Sequence, residues 1–125
     1  MENALNTYST ASLAYLGDSV IEICVRERLV KSGVSSSAEL NKRALDFVRA
    51  AAQAEAMKRI LPLLDEEEDA VFHRGRNIGH TNKPKSATVS QYRAATGMEA
   101  LFGYLHLAGK NERIAELFDT AYPIE

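Results

Sequence analysis

The sequence predicts an all-α domain, and three observations predict it. Apolar residues recur at helical spacing along nearly the whole chain. β-Branched residues never gather into alternating, strand-like runs. Neither Asn-Gly nor Asp-Gly, the strongest short hairpin signals, occurs. Serine caps, isolated glycines and prolines divide the pattern into about five to six helices with short connections.

The first helix is expected from about Thr10 to Lys31, with Ser9 or Thr10 as its cap and Gly33 just past its end. Leu13, Leu16, Val20, Ile21 and Cys24 share one face, and Ile23 and Val25 widen it, so several neighbours are expected to enclose this helix. A serine run ending at Ser37 opens a second stretch, AELNKRALDFVRAAAQAEAMKRILPLL. Its length predicts a break near Arg49–Ala52, and Pro62 ends it or kinks its last turn. Asp65 caps a third helix, with Glu68 at the capping-box position. Glu66, Glu67 and Asp69 crowd its first turn, and Arg74 and Arg76 lie near its other end; both placements suit the helix dipole. Residues Gly79 to Ala87 read as an exposed loop. Thr88 or Ser90 opens a helix that runs to about Leu107 and stops at Gly109. Asn111 caps a last helix, ERIAELFDTAY, closed by Pro123.

A chain of 125 residues fits one domain, residues 1–125, that buries a core without disulfide staples. Hydrophobic residues are 46% and charged residues 26%, which excludes a disordered chain or a fibre. The apolar runs are too short for a transmembrane helix, and MENALNTYST has neither the basic start nor the apolar stretch of a signal peptide. Cys24 is the only cysteine, which excludes an intrachain disulfide and argues against a cysteine zinc site. A cytoplasmic protein with no membrane partner is the expectation.

The net charge of −2 is unevenly spread. Ala70 to Met98 holds Arg74, Arg76, Lys83, Lys85 and Arg93 and no acid, so it carries +5 against −7 for the remainder. Such asymmetry suits a polyanion docking at one place, or equally a solvated loop paired with acidic neighbours.

Two carboxylates break the local pattern. Asp18 sits at the edge of the apolar face of the first helix, and Glu99 sits among Met98, Ala100, Leu101 and Phe102. A buried, unpartnered carboxylate costs several kcal/mol or shifts its pKa, and a bound cation removes that cost. Gly17, Gly97 and Gly103 lie beside the two acids, where a helical glycine costs about 1 kcal/mol relative to alanine. They suggest close helix–helix approach or room for a ligand, and relief of packing at a tight crossing is the preferred explanation. Two acids from separate helices suit Mg²⁺, which often takes one or two carboxylates and fills its shell with water. From spacing alone this deduction is weak.

The string LAYLGDSVIEICVRERL, followed some eighty residues later by ATGMEALFGYLHLAG, resembles the catalytic domain of ribonuclease III. The LGDSV core and the EAL-G-Y-L pattern correspond to its two signature helices. The HRGRN stretch, the Lys-Pro-Lys loop, the QYR-to-EAL helix and the chain length are most similar to the short form, Mini-ribonuclease III, which lacks a double-stranded-RNA-binding domain. The resemblance runs from about Ala11 to Phe118.

It implies an all-α homodimer that cleaves double-stranded RNA with Mg²⁺, with Mn²⁺ as a substitute, and leaves 5′-phosphates. Asp18 and Glu99 match the family's catalytic, metal-binding acids. Ala14 stands where ribonuclease III usually has a glutamate, and Thr96 where it usually has an aspartate, so fewer protein carboxylates and more water are implied. For the short form the resemblance implies maturation of large-subunit (23S) ribosomal RNA precursor, with a ribosomal protein as possible helper. Arg74, Arg76, Asn77, Lys83, Lys85 and Arg93 are then the expected RNA contacts, reading A-form shape through phosphate and ribose.

Other residues have plainer roles. Glu22 is expected to pair with Arg26 at the surface. His73 and His80 are expected to be solvated or RNA-facing, His106 to lie in the core or an interface, and Tyr104 to pack, with a dimer seam as its alternative. Cys24 is expected as a buried small hydrophobe, and DEEED as a helix cap. Two other functions stay open. One is a catalytically weak or inactive RNA- or ribosome-binding module, motivated by Ala14 and Thr96. The other is a helical dimer that binds no RNA.

Overall fold

The computed structural model describes residues 7–78 and 87–124. Six α-helices and one 3₁₀ turn follow in order: α1 Thr10–Lys31, α2 Ser37–Val48, α3 Ala50–Ile60, the turn Leu61–Leu63, α4 Glu66–Arg76, α5 Val89–Leu107 and α6 Asn111–Ala121. No strand occurs among the described residues, so the fold is all-α.

The ends obey the capping chemistry. Ser9, Ser36, Asp65 and Thr88 each accept a backbone N–H of the first turn they cap. Asp65 with Glu68, and Thr88 with Gln91, form reciprocal capping boxes. Gly33 (φ +95°) and Gly109 (φ +72°) supply the left-handed turn that closes α1 and α5, each with the paired backbone bonds of a Schellman motif. The expected break falls at Arg49, which is extended and ends α2 as α3 begins. Pro62 sits in the 3₁₀ turn. The start of α6 differs from expectation: Lys110, not Asn111, is the cap, and no side chain bonds there.

The enclosed helix is α5, not α1. From Ala95 to Leu105 every α5 residue is buried except half-buried Glu99. Helices α1, α3, α4 and α6 all pack against it. Helix α1 buries Leu13, Ala14, Gly17, Val20, Ile21, Val25 and Leu29, yet Tyr15 is 85% exposed and Ile23 67%. Ile23 therefore does not widen the buried face; neighbours cover α1 on one side only.

Polar clamps tie α6 to the remainder. Arg113 of α6 forks onto both carboxylate oxygens of buried Glu68 at 2.8 Å and donates to the Leu63 carbonyl at 2.7 Å. Arg28 stacks on Phe118 and bonds Asp119 and the Tyr122 carbonyl, while Arg59 donates to the Ala121 carbonyl at 2.7 Å. The carbonyls freed at the end of α6 thus meet cationic donors, as the helix dipole favours. Among the described residues, no helix is long and apolar enough to cross a membrane.

Candidate active site

Helices α1 and α5 cross without side chains between them. A Cβ built on Gly17 would fall 1.6 Å from the Glu99 carbonyl oxygen, and one on Gly103 would fall 2.0 Å from the Leu13 carbonyl oxygen. Only glycine permits this approach. It brings Asp18, the neighbour of Gly17, against Glu99. The two acidic side chains therefore oppose each other across this crossing. Burial first, and then the neighbouring Asp18 carboxylate, push Glu99 from an ordinary carboxyl value up to about 8. The burden of burial falls on Glu99; Asp18 is exposed and leaves one side of the pair open to water.

This donor set suits a hard divalent cation. Two carboxylates at close quarters supply oxygen ligands and negative charge, and the open side admits water to complete a six-oxygen shell. Ala14 is buried and its side chain has no oxygen to add, and the Thr96 hydroxyl donates to the Tyr92 carbonyl at 3.0 Å. Among the described residues, no group of three or more His, Cys, Asp or Glu gathers as a metal cluster. Glu22 holds Arg26 at 3.4 Å, the surface pairing that the i,i+4 spacing predicts.

A second glycine crossing sets the basic side. A Cβ on Gly75 of α4 would lie 2.7 Å from the Gly97 Cα and 2.8 Å from the Ala100 Cβ of α5. Gly97 faces Phe72 and Gly75, so it serves this crossing and not the acid pair. It precedes Glu99 by only two residues, about 3 Å of helix rise. Arg74, Arg76 and Asn77 at the exposed end of α4 are therefore anchored at the level of the acids. Arg93 is exposed on α5, and neither it nor Arg76 joins an ion pair among the described residues. Lys83, Lys85 and His80 lie outside the described residues. Sequence reasoning passed over Gly75; a helical glycine between two arginines was the available signal.

Several smaller expectations change. Ala87 is buried and not part of an exposed loop. His106 is exposed, so it is no core residue. Tyr104 is buried and donates to Glu67 at 2.8 Å, so it packs and its hydroxyl is used inside the chain. His73 Nδ1 lies 2.8 Å from the Asp69 carbonyl and 3.3 Å from its carboxylate, both on its own helix. Cys24 is half-buried, and burial raises its thiol pKa.

The model of the ribonuclease III domain matches residues 11–110. The chain belongs to the ribonuclease III family. Within it, the chain is 45% identical over 115 residues to Mini-ribonuclease 3 of Symbiobacterium thermophilum, covering 92% of this chain and 88% of that one. It is 46% identical over 121 residues to Mini-ribonuclease 3 of Desulfitobacterium hafniense, covering 95% and 75%. An X-ray structure of a Fusobacterium nucleatum protein superposes with a TM-score of 0.85 at 33% identity, covering 94% of each chain. These likenesses bear out the all-α ribonuclease III-like fold.

Proposed function

We propose that this chain, acting as one catalytic domain over residues 1–125, is a Mg²⁺-dependent endoribonuclease that cuts double-stranded regions of large-subunit ribosomal RNA precursor. Its family makes it an endoribonuclease of the ribonuclease III type. The observation that carries the finer reading is the Gly17 crossing, which sets two acids from separate helices, Asp18 and Glu99, against each other with no cation between them among the described side chains.

Asp18 and Glu99 would hold the cation, which supplies Lewis-acid stabilisation of the scissile phosphate and acidifies a water. Asp18, at the exposed side, and Glu99, at the buried side, would each offer carboxylate oxygens to the cation. Arg76 and Arg93, with Arg74, Asn77, Lys83 and Lys85, would hold flanking phosphates and fix the register of the duplex. The water oxygen would bond to phosphorus as the P–O3′ bond breaks, with a water proton passing to O3′, so that a 5′-phosphate and a 3′-hydroxyl result. One pair per chain suits a homodimer that addresses both strands. The exposed Tyr15, one turn before Asp18, together with Ile23, supplies an apolar surface of the kind such contacts use. A ribosomal protein already on the precursor would add affinity.

Incubation of a duplex-containing precursor with Mg²⁺, against EDTA, tests the reading. Metal-dependent cleavage that Asp18→Ala and Glu99→Ala each abolish in folded protein is expected; full activity in the double alanine variant rejects it. Ala14 and Thr96 favour a second reading, an RNA-binding module with little or no catalysis, which predicts duplex binding without cutting.

A further inference from the structure

We propose that Gly17 is a positioning residue of the acid pair: the absence of its side chain holds the Glu99 main chain at the approach that would let Asp18 and Glu99 hold a divalent cation together. The inference rests on the metal-binding reading above and concerns a residue that touches neither metal nor RNA.

The Gly17 contact is with Glu99 itself. A Cβ at Gly17 would lie 1.6 Å from the Glu99 carbonyl oxygen, 2.5 Å from its carbonyl carbon and 2.8 Å from the Gly103 amide nitrogen. All three are main-chain atoms, so no side chain can swing aside. Real Cβ contacts essentially never fall under 3.0 Å, so a methyl group must part the helices by about 1.4 Å or more. Asp18 follows Gly17 in the chain, and Glu99 is the contacted residue. The displacement therefore acts on both acids with no flexible group between to absorb it. Mg²⁺ and its ligands tolerate little of this, because near-ideal octahedral geometry at about 2.0–2.1 Å is required and sites loosen beyond about 0.5 Å of misplacement.

The other glycine crossing provides the contrast. Gly75 would clash with Gly97 and Ala100 of the same helix α5, but with neither acid. Alanine is the better helix former at both positions, so propensity favours both substitutions and any loss comes from the crossing. Gly17→Ala and Gly75→Ala are thus matched in kind and differ in whether the parted helices carry the acids.

The test uses Mn²⁺ as the probe, with free Mn²⁺ read by electron paramagnetic resonance, and the backbone amide resonance of Glu99 as a metal-independent readout. Both variants are expected to stay helical and melt earlier than the natural sequence. Mn²⁺ affinity is expected to fall at least tenfold in Gly17→Ala and less than twofold in Gly75→Ala, and the Glu99 amide to shift only in the former. Unchanged affinity in folded Gly17→Ala, or an equal loss in Gly75→Ala, overturns the proposal. If Asp18→Ala leaves Mn²⁺ binding of the otherwise natural protein intact, the metal-binding reading itself fails and takes this proposal with it; that result appears before any glycine is changed. Should Gly17→Ala not fold, trimethylamine N-oxide favours its compact state, and Gly103→Ala, which would meet Leu13 and Gly17 main-chain atoms at the same crossing, is measured with the same expected and overturning results.

Discussion

Two glutamates removed from bulk water are handled in opposite ways. Glu68 is 1% exposed. Burial would raise its pKa, but the Arg113 fork, the Asp65 backbone N–H and the charges of Arg113 and Lys110 bring it below the ordinary carboxylate value. Glu99 is also screened from water, yet its nearest charged neighbour is Asp18, and its pKa climbs to about 8. The fold supplies a cation to the first and a second anion to the second. A carboxylate matched from within locks helices together. One opposed from within is left without an internal cation, and perturbed carboxylates of that kind cluster at functional sites.

The largest effect expected from this contrast is on catalysis. Asp18→Ala or Glu99→Ala should lower cleavage of a duplex precursor by at least about 10²–10³-fold, while circular dichroism shows an unchanged helix content. Arg113→Ala should do the reverse. It strands Glu68 without its partner and should cost about 3 kcal/mol of stability in a denaturant titration, while the metal affinity of the folded fraction stays unchanged. A variant of Arg113 that melts normally would break the comparison.

The pH dependence sharpens it. Glu99 has a folded pKa near 8 against an ordinary unfolded value of 4.5, so the folded state holds the extra proton in between. Its contribution is fully present below about pH 4.5 and is lost as pH rises through about 8. Metal-free protein should therefore lose stability across this window, and Glu99→Gln should remove the loss, gaining on the order of 1–3 kcal/mol near pH 9. Added Mg²⁺ should raise the melting temperature more at pH 8 than at pH 5. Glu68→Gln should destabilise over the same range, because a neutral amide cannot replace the ion pair with Arg113.

The smallest effect concerns the basic arm. Arg76→Ala or Arg93→Ala should weaken duplex binding only a few-fold, uniformly across RNA sequences, and flatten the salt dependence by about one unit for each phosphate no longer held. An altered sequence preference would show that these arginines read bases and not backbone.

Much of this was legible locally. The capping serines, Asp65 with Glu68, Gly33 and Gly109 act within a few residues, and all behave as the sequence suggests. Asp18 and Glu99 stood out as acids in apolar surroundings with glycines beside them. Three things were not legible. Arg113 lies 45 residues from Glu68, and no local pattern pairs them. Ile23 and Val25 read alike in a helical wheel, yet one is exposed and the other fully buried, because neighbours cover only one side of α1. Gly75 reads as an interruption between two arginines until Gly97 is seen packed against it.

By itself the sequence determined where all but the last helix start and stop, which residues are apolar and which are charged, because those properties act over one or two turns. Tertiary structure alone decided that Asp18 faces Glu99, that Arg113 faces Glu68, and that α5 is the helix enclosed. Each of those facts depends on how closely two backbones approach, and that distance is set by contacts between residues far apart in the chain.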